Sequence, residues 1–459
     1  MKDARFPRPF WTANVIELLE RGAYYAMASF LVIYLGDLGF GDYWPSTLNG
    51  VLWTLIYFLP ILSGTLADQI GFRKSLLAAM VFLAAGYWLI GMPDWLHWTS
   101  ASPKGAEHVT ASPQALTSIV LGILLVGLGG SFVKPCVSGT VQKTSLGRAT
   151  LGFAIFYVVV NIGSLFGRGF GYVVRTRTTL SGIFAVSVAC SIAALLVVLF
   201  LHRDPKAETA GLPQKPRRSI GQILLDMVLV LRDVRFALFL LVSSGFWFLY
   251  SQVYNVLPLY IKKTVELNPA IDLYTMANPL VIVTCQLLVT RWFGKMKPIR
   301  SIIVGIVIIG ISMLINLYPL YAACGPQGVI ACNLGVCQMA IPLASLLIIL
   351  TVALIAVGEL FTAARMYEYI GALAPKGQEG LYLGYANLPT AIGALIGGPV
   401  GAAIFNEIMC RDAVRQSNGL LQLDPAMASA GWLLLMGIGF ASAAGMWLYN
   451  RWLESTAEK

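Results

Sequence analysis

Residues 115–139 read ALTSIVLGILLVGLGGSFVKPCVSG, and the first 19 of them carry no charge. A run of this length is enough for one helix to cross a hydrocarbon core of about 30 Å. Similar runs recur along the 459-residue chain, which is 57% hydrophobic and 12% charged, whereas a soluble domain is about 25% charged. These runs lack the alternation of barrel strands. The chain is therefore predicted to be an all-α membrane protein.

Twelve membrane spans are predicted. They lie near 11–35, 47–67, 75–92, 115–139, 150–174, 180–201, 235–261, 273–294, 300–320, 340–368, 380–405 and 427–450. The stretch 203–233 is a long basic linker, in which a helix from Ser219 to Asp233 is predicted to lie on the membrane surface. It separates two six-helix bundles, 1–202 and 234–459. Two such halves suggest the major facilitator fold, with solute bound at the membrane midplane.

Loop charges predict the orientation of the chain. The formal net charge is +10, and the bases concentrate in alternate loops, as cytoplasmic loops do. The loop after the first span carries Asp37 and Asp42 and no base. Both termini are therefore expected to be cytoplasmic, in an inner or plasma membrane. The expected partners are the bilayer and a small solute, with no nucleic acid, and we expect a monomer.

The segment after the second span reads GTLADQIGFRK, from Gly64 to Lys74. Asp68 lies at the predicted helix end, Gly71 supplies a tight turn, and Arg73 and Lys74 lie where anionic headgroups attract them. This spacing resembles the signature of the major facilitator superfamily, in which the segment latches one conformation. Gly64, Asp68, Gly71, Arg73 and Lys74 are accordingly interpreted as a conformational latch. A plain basic turn is the alternative.

Three charges lie inside the first span, at Glu17, Glu20 and Arg21. Each costs roughly 2.5–3.5 kcal/mol at the centre of a bilayer on insertion scales. Their spacing places them on one helical face. That face is predicted to look into a polar cavity, where Arg21 partly neutralises the two acids. The alternative is a structural ion pair within the helix.

The order Glu17-Leu18-Leu19-Glu20-Arg21, followed by Tyr24 and Tyr25, resembles the first-helix signature of the proton-dependent oligopeptide transporter family. Segments in both halves agree with this resemblance. They are Gly129–Cys136 with its Lys134, Phe156–Leu165 with its Asn161, Tyr57 before Pro60, Phe246–Trp247 before Gln252, Asn278–Pro279, and Gly358–Phe361 with its Glu359. The first-span cluster and the Lys134 segment are the most specific part.

The resemblance implies a role for each matching residue. Glu17, Glu20 and Lys134 are implied to couple protons, with Lys134 pairing with Glu20 in one state and releasing it in another. Arg21 is implied to bind a peptide carboxylate. The residues implied to line the substrate site are Arg21, Tyr25, Tyr57, Lys134, Asn161, Trp247, Asn278 and Glu359.

These residues also have purely structural interpretations. Lys134 is then a lysine that snorkels from a helix end, and Glu359 is a partner for Arg365. In the same interpretation Tyr25, Tyr57 and Trp247 are ordinary packing aromatics. Asn161 then forms a hydrogen bond that joins two helices.

The chain departs from the family pattern at several residues and lacks the two extra helices that many bacterial members have between the halves. The family has an arginine where this chain has Ala28, and an acid where it has Ser251. Arg168 is an intramembrane charge outside the pattern. We hypothesise that Arg168 replaces positive charge lost from the cavity.

The leading interpretation is a proton symporter that imports di- and tripeptides, or a related small zwitterion, by alternating access. The coupling ion is the proton, and no other cofactor is expected. Two different functions remain open, namely a major facilitator with a different solute and a peptide sensor that does not transport. An enzyme is not expected, since no nucleophile–base pair, metal cluster or phosphate loop is evident. Two of Cys324, Cys332 and Cys337, which share one predicted outer loop, could form a disulfide.

Overall fold

The computed structural model describes residues 6–98, 110–145, 149–204, 221–222, 225, 229–333, 338–373, 382 and 385–457. The side chains of residues 68, 149–150, 331–333, 338–339 and 456–457 are outside this description. The described residues form α-helices and two short β-hairpins.

The helices of the first half begin at Arg8. They are α1 (Arg8–Ala28), α2 (Leu31–Asp37), α3 (Trp44–Phe58), α4 (Pro60–Ile70), α5 (Phe72–Trp95), α6 (Pro113–Thr144), α7 (Ala149–Arg177) and α8 (Gly182–Leu196), which continues as a π-helical turn, Val197–Leu201. Pro60 lies in the first turn of α4, where its missing N–H costs little helical hydrogen bonding. The second predicted span is therefore built from two helices, α3 and α4.

The second half is also helical and contains two short β-hairpins. Its helices are α9 (Val234–Ser251), α10 (Val256–Tyr260) with a π-helical turn Ile261–Val265, α11 (Ile271–Thr275), α12 (Ala277–Phe293), α13 (Pro298–Ser312) with a 3-10 turn Met313–Leu317, α14 (Tyr318–Tyr321), α15 (Leu343–Leu373), α16 (Leu388–Ala403) with a π-helical turn Ile404–Met409, and α17 (Pro425–Ala457). Strands β1 (Val329–Asn333) and β2 (Gln338–Pro342) pair antiparallel, as do β3 (Val414–Arg415) and β4 (Leu421–Gln422).

Eleven helical stretches among the described residues are long and apolar enough to cross a membrane. They correspond to predicted spans two to twelve. The first predicted span, 11–35, is divided, because α1 ends at Ala28 and α2 begins at Leu31. Its three charges also make it less apolar than the others. The protein is thus a multi-pass membrane protein with the predicted helical architecture.

The described residues form two compact units. The first lies within Met1–Met27, Thr54–Trp98 and Pro113–Val234, and the second within Ala28–Trp53, Thr99–Ser112 and Arg235–Lys459. The units change at Val234, where the predicted linker ends. Residues 28–53 group with the second unit, although the sequence placed them with residues 1–202. About half of the helix predicted from Ser219 to Asp233 lies outside the described residues; 221–222, 225 and 229–230 are helical.

Two glycines let α1 and α7 approach closely in the first unit. A Cβ atom at Gly163 would lie 2.7 Å from the Leu18 carbonyl oxygen, and one at Gly167 would collide with the Gly22 carbonyl oxygen. The two glycines are one helical turn apart, which is a common spacing in close-packed membrane helices. Their contacts set the register of α7 against the charged turn of α1.

Candidate functional site

The charged side chains of α1 are buried inside the first unit. Glu17 is 3% exposed, Glu20 1% and Arg21 8%. Arg21 donates two hydrogen bonds to Glu20, from Nε to Oε2 at 2.5 Å and from Nη2 to Oε1 at 2.7 Å. Its Nε also lies 3.7 Å from Glu17 Oε1. The structure therefore brings these three predicted residues together, and Arg21 links both acids.

Two tyrosines of the same helix surround the Arg21 guanidinium. Arg21 Cζ lies 5.1 Å from the ring centroid of Tyr24 and 5.9 Å from that of Tyr25. Tyr24 is buried, whereas Tyr25 is half-buried. The aromatic faces favour a cation, so the predicted residue Tyr25 belongs to the surroundings of Arg21.

Lys134 lies on α6, one residue before Pro135. Its side chain is exposed, and its Nζ lies 5.7 Å from the ring centroid of Tyr57. A hydrogen bond of 2.7 Å from Ser63 Oγ to the Ser131 carbonyl oxygen joins α4 to α6 near this lysine. The predicted residues Lys134 and Tyr57 are thus neighbours. In this structure it is Arg21 that pairs with Glu20, whereas the sequence assigned one state of Glu20 to Lys134.

Asn161 and Arg168 lie on α7 and bond within that helix. Asn161 Nδ2 donates to the Tyr157 carbonyl oxygen at 2.9 Å. Arg168 is 0% exposed, donates from Nη1 to Ser164 Oγ, and has its Cζ 4.4 Å from the Tyr25 ring centroid. The hypothesis that Arg168 replaces a cavity charge stays a prediction; in this structure its side chain is enclosed and lies against the Tyr25 ring.

In the second unit, Asn278 and Glu359 form a polar pair. Asn278 Nδ2 donates to Glu359 Oε2 at 3.1 Å. Arg365 instead pairs with Glu368, at 2.5 Å, and donates to the Gly294 carbonyl oxygen at the end of α12, at 2.7 Å. The alternative role of Glu359 as the partner of Arg365 therefore does not describe this structure.

Trp247 packs among aromatic residues of α9. Its ring centroid is 5.2 Å from that of Phe246 and 5.4 Å from that of Tyr250, both edge-on. Among the described residues no hydrogen-bond partner meets its buried Nε1. Its contacts are thus those of a packing aromatic, with one donor left over.

The predicted latch segment is tied to the end of α8. Gly71 has a φ of 94°, a value that glycine adopts without strain. Arg73 donates its backbone N–H to Asp204 Oδ1 at 2.8 Å and its Nη2 to the Leu199 carbonyl oxygen at 2.8 Å. Lys74 is exposed. Gly64 packs on Pro135: a Cβ atom added at Gly64 would lie 3.4 Å from Pro135 Cβ. The side chain of Asp68 lies outside the described residues.

A buried histidine follows the same helix end. His202 is 1% exposed, and its Nδ1 lies 2.9 Å from Thr12 Oγ1. Burial lowers the pKa of His202, while the Asp204 carboxylate acts in the opposite direction. The hydrogen bond between Thr12 and His202 thus joins the start of α1 to the end of α8, and burial favours the neutral form of His202.

Two ionic contacts in the second unit were not predicted from the sequence. Lys263 Nζ lies 2.6 Å from Asp42 Oδ1, and Lys262 Nζ lies 3.6 Å from Asp37 Oδ2. Burial raises the pKa of Asp37 against the attraction of Lys262. The opposite signs of these two loops were visible in the sequence, but their pairing was not.

The predicted disulfide is tested at one of its three cysteines. Cys324 is an exposed free thiol. The side chains of Cys332 and Cys337 lie outside the described residues, so a bond between those two stays a prediction.

Comparison with known families agrees with this fold. The model of the Major Facilitator Superfamily matches residues 23–326, which is more than half of the chain. The chain therefore belongs to the Major Facilitator Superfamily.

Individual relatives cover parts of the chain to different extents. It is 28% identical to solute carrier family 15 member 1 of Rattus norvegicus over 166 residues, which are 35% of this chain and 23% of that protein. It is 22% identical to a multidrug resistance protein of Shigella dysenteriae over 386 residues, or 82% of each chain. A solved transporter of the proton-dependent oligopeptide family, in complex with 5-aminolevulinic acid, aligns with a TM-score of 0.73 at 18% identity, over 96% of both chains. The resemblance to that family is confirmed.

Proposed function

We propose that this protein is a proton-coupled symporter that imports di- and tripeptides, or a related small zwitterion, by alternating access. The observation that carries the proposal is the buried Glu17, Glu20 and Arg21 cluster of α1. Buried ionisable groups in a membrane helix are expensive and commonly functional. The family resemblance and the peptide transporters among the structural neighbours support the same solute class.

Coupling follows from the two bonds between Arg21 and Glu20. A bidentate pair of this kind is strong while the carboxylate is ionised. Protonation of Glu20 removes its negative charge, and the guanidinium is then available to the carboxylate of a peptide. Proton binding and peptide binding therefore favour one another, which is the requirement for symport.

A peptide also carries a positive amino terminus. Glu359 is the acid of the second unit proposed to bind it, and Asn278 holds one of its carboxylate oxygens at 3.1 Å. Lys134 and Tyr57 are proposed to act beside Arg21, with Lys134 replacing it as the partner of Glu20 in another state. Asn161, Tyr25 and Trp247 complete the proposed set.

The driving force is the proton gradient, with no other cofactor. Inward movement of one proton supplies about 2.3 kcal/mol per 100 mV and about 1.4 kcal/mol per pH unit. We propose that the protein acts as a monomer in the inner or plasma membrane with both termini in the cytoplasm. The segment from Gly64 to Lys74, through Arg73 and the end of α8, is proposed to latch one state of the first unit.

Uptake by proteoliposomes tests the proposal. Purified full-length protein is reconstituted, an inward proton gradient is imposed, and accumulation of radiolabelled dialanine is measured with and without an uncoupler. We expect accumulation above the external concentration that the uncoupler abolishes. Binding of dialanine without accumulation would support a sensor. Accumulation of other solutes alone would support a different major facilitator function.

A further inference from the structure

Arg168 is a buried cation that the proposed coupling cluster does not use. It lies on α7 at 0% exposure and donates a hydrogen bond to Ser164 of the same helix. A guanidinium taken out of water is costly unless the protein provides favourable contacts. One such contact is the Tyr25 ring, whose centroid lies 4.4 Å from Arg168 Cζ.

The backbone packing holds Arg168 in this place. Gly167, its neighbour, lies so close to the Gly22 carbonyl oxygen that no larger residue fits. Tyr25 follows Gly22 by about one helical turn on α1. Because the crossing of α1 and α7 is fixed at this point, the Arg168 guanidinium and the Tyr25 ring are held against each other.

Tyr25 also contacts the proposed substrate-binding arginine. The Tyr25 ring centroid lies 5.9 Å from Arg21 Cζ, and Tyr25 is half-buried where Arg168 is fully enclosed. The Tyr25 ring therefore lies between the enclosed Arg168 and the proposed substrate-binding Arg21, within cation–π distance of both guanidinium groups.

We propose that Arg168 is a positioning residue for the substrate site: it orients the Tyr25 ring and, through that ring, the Arg21 guanidinium. The inference rests on the proposed function, since it assigns the site a second buried cation that acts without touching substrate. A cation on an aromatic face is attracted by the ring, most strongly where water is excluded. Loss of this contact is expected to raise the KM for dialanine about tenfold.

The first test compares two arginines of α7, each of which lies over a tyrosine. Arg168→Met removes the buried cation but keeps an apolar side chain of similar length. Arg175→Met is the matched control, because Arg175 Cζ lies 5.5 Å from the Tyr172 ring centroid, away from Tyr25. Dialanine uptake by proteoliposomes is expected to show a KM about tenfold higher for Arg168→Met, with a maximal rate within about twofold of wild type. Arg175→Met is expected to keep the wild-type KM.

The second test asks whether the effect passes through Tyr25. Tyr25→Leu removes the ring, and Tyr25→Phe keeps its face. Arg168→Met is expected to raise the KM in the Tyr25→Phe background but to add less than about twofold in the Tyr25→Leu background. Arg168→Lys keeps the charge and is measured in the same backgrounds. Its KM is expected to lie between those of wild type and Arg168→Met. It replaces Arg168→Met if that variant does not fold.

The outcomes separate this proposal from the proposed function. If wild-type protein takes up no dialanine, the proposed function fails. If wild type is active and Arg168→Met keeps its KM, or adds the same factor with and without the Tyr25 ring, the positioning role is overturned and the proposed function stands.

Discussion

Arg21 holds the carboxylate of the residue directly before it, Glu20, by two hydrogen bonds of 2.5 and 2.7 Å. Adjacent residues of a helix normally point in different directions. The long Arg21 side chain instead folds back over its own turn, which leaves Glu17 as a more distant partner at 3.7 Å. Both acids therefore act on one guanidinium, and this arrangement is the basis of the proposed coupling role of Glu20.

Glu20→Gln is expected to lose gradient-driven accumulation of dialanine and to retain exchange of dialanine between equal pools. The neutral amide resembles the protonated carboxyl group, but it does not ionise and so cannot take up or release a coupled proton. Both modes are measured in the same proteoliposomes. Glu454→Gln is the control, because Glu454 is exposed on α17 and accepts a hydrogen bond from Asn450. Accumulation by Glu20→Gln at the wild-type level would show that Glu20 is not the coupling acid.

Asn278→Ala is expected to raise the KM for dialanine about tenfold, because a hydrogen bond to a charged group contributes about 1.5–3 kcal/mol and the variant releases Glu359. N-acetyl-dialanine, which has no ammonium, should inhibit dialanine uptake equally in the variant and in wild type. Gln286→Ala is the control on the same helix, since Gln286 donates to Thr290 at 3.3 Å. Equal weakening of both peptides would place the effect elsewhere than at the amino terminus.

Gly167→Ala is expected to destabilise the first unit by about 1–3 kcal/mol, since an added methyl group meets the backbone of α1. Gly169 lies on the same helix and a Cβ there has no neighbour within 4 Å. Gly169→Ala should therefore leave the melting temperature unchanged or raise it slightly. Thermal unfolding of the detergent-solubilised protein measures both. Equal melting temperatures for the two variants would contradict the close α1–α7 crossing.

Acid is expected to weaken the contact between the start of α1 and the end of α8. The pKa of His202 is lowered by burial, so below about pH 6.5 the unfolded chain binds a proton that the folded protein resists. The contribution of His202 to stability is thus lost as pH falls from about 6.5 toward its folded pKa, by at most about 1.4 kcal/mol per pH unit. Melting temperatures at pH 7.5 and 5.5 should differ less in His202→Gln than in wild type.

The exposed His97 provides the control for that pH dependence. His97 has a φ of 55°, which asparagine tolerates, so His97→Asn is a suitable variant. It should keep the wild-type difference between the two pH values. If His202→Gln loses as much stability in acid as wild type does, His202 does not contribute to the pH dependence of stability.

The membrane helices and the charged turn of α1 could be predicted from the sequence for a physical reason. Long uncharged runs have few alternatives in lipid, and three charges in one span must face away from it. The choice of partners was harder to predict. The two bonds from Arg21 to the adjacent Glu20 and the bond from Asn278 to Glu359 depend on side-chain rotamers and helix packing, which no local sequence pattern specifies.

The break in the first span also escaped prediction. Residues between Ala28 and Leu31 carry no proline or glycine, so no local signal marks the end of α1. Arg168 was recognised as unusual, but its burial against Tyr25 follows from the α1–α7 crossing at Gly163 and Gly167, which only the three-dimensional packing defines.

Peptide-evoked proton flux is the direct measure of proton coupling at the Glu20–Arg21 pair. Proteoliposomes are loaded with a pH-sensitive dye, equal pH is set on both sides, the membrane potential is clamped at zero, and dialanine is added outside. We expect the lumen to acidify with wild-type protein and not with Glu20→Gln, although both proteins carry dialanine in exchange. Entry of dialanine through the wild-type protein without acidification would contradict proton coupling at the Glu20–Arg21 pair.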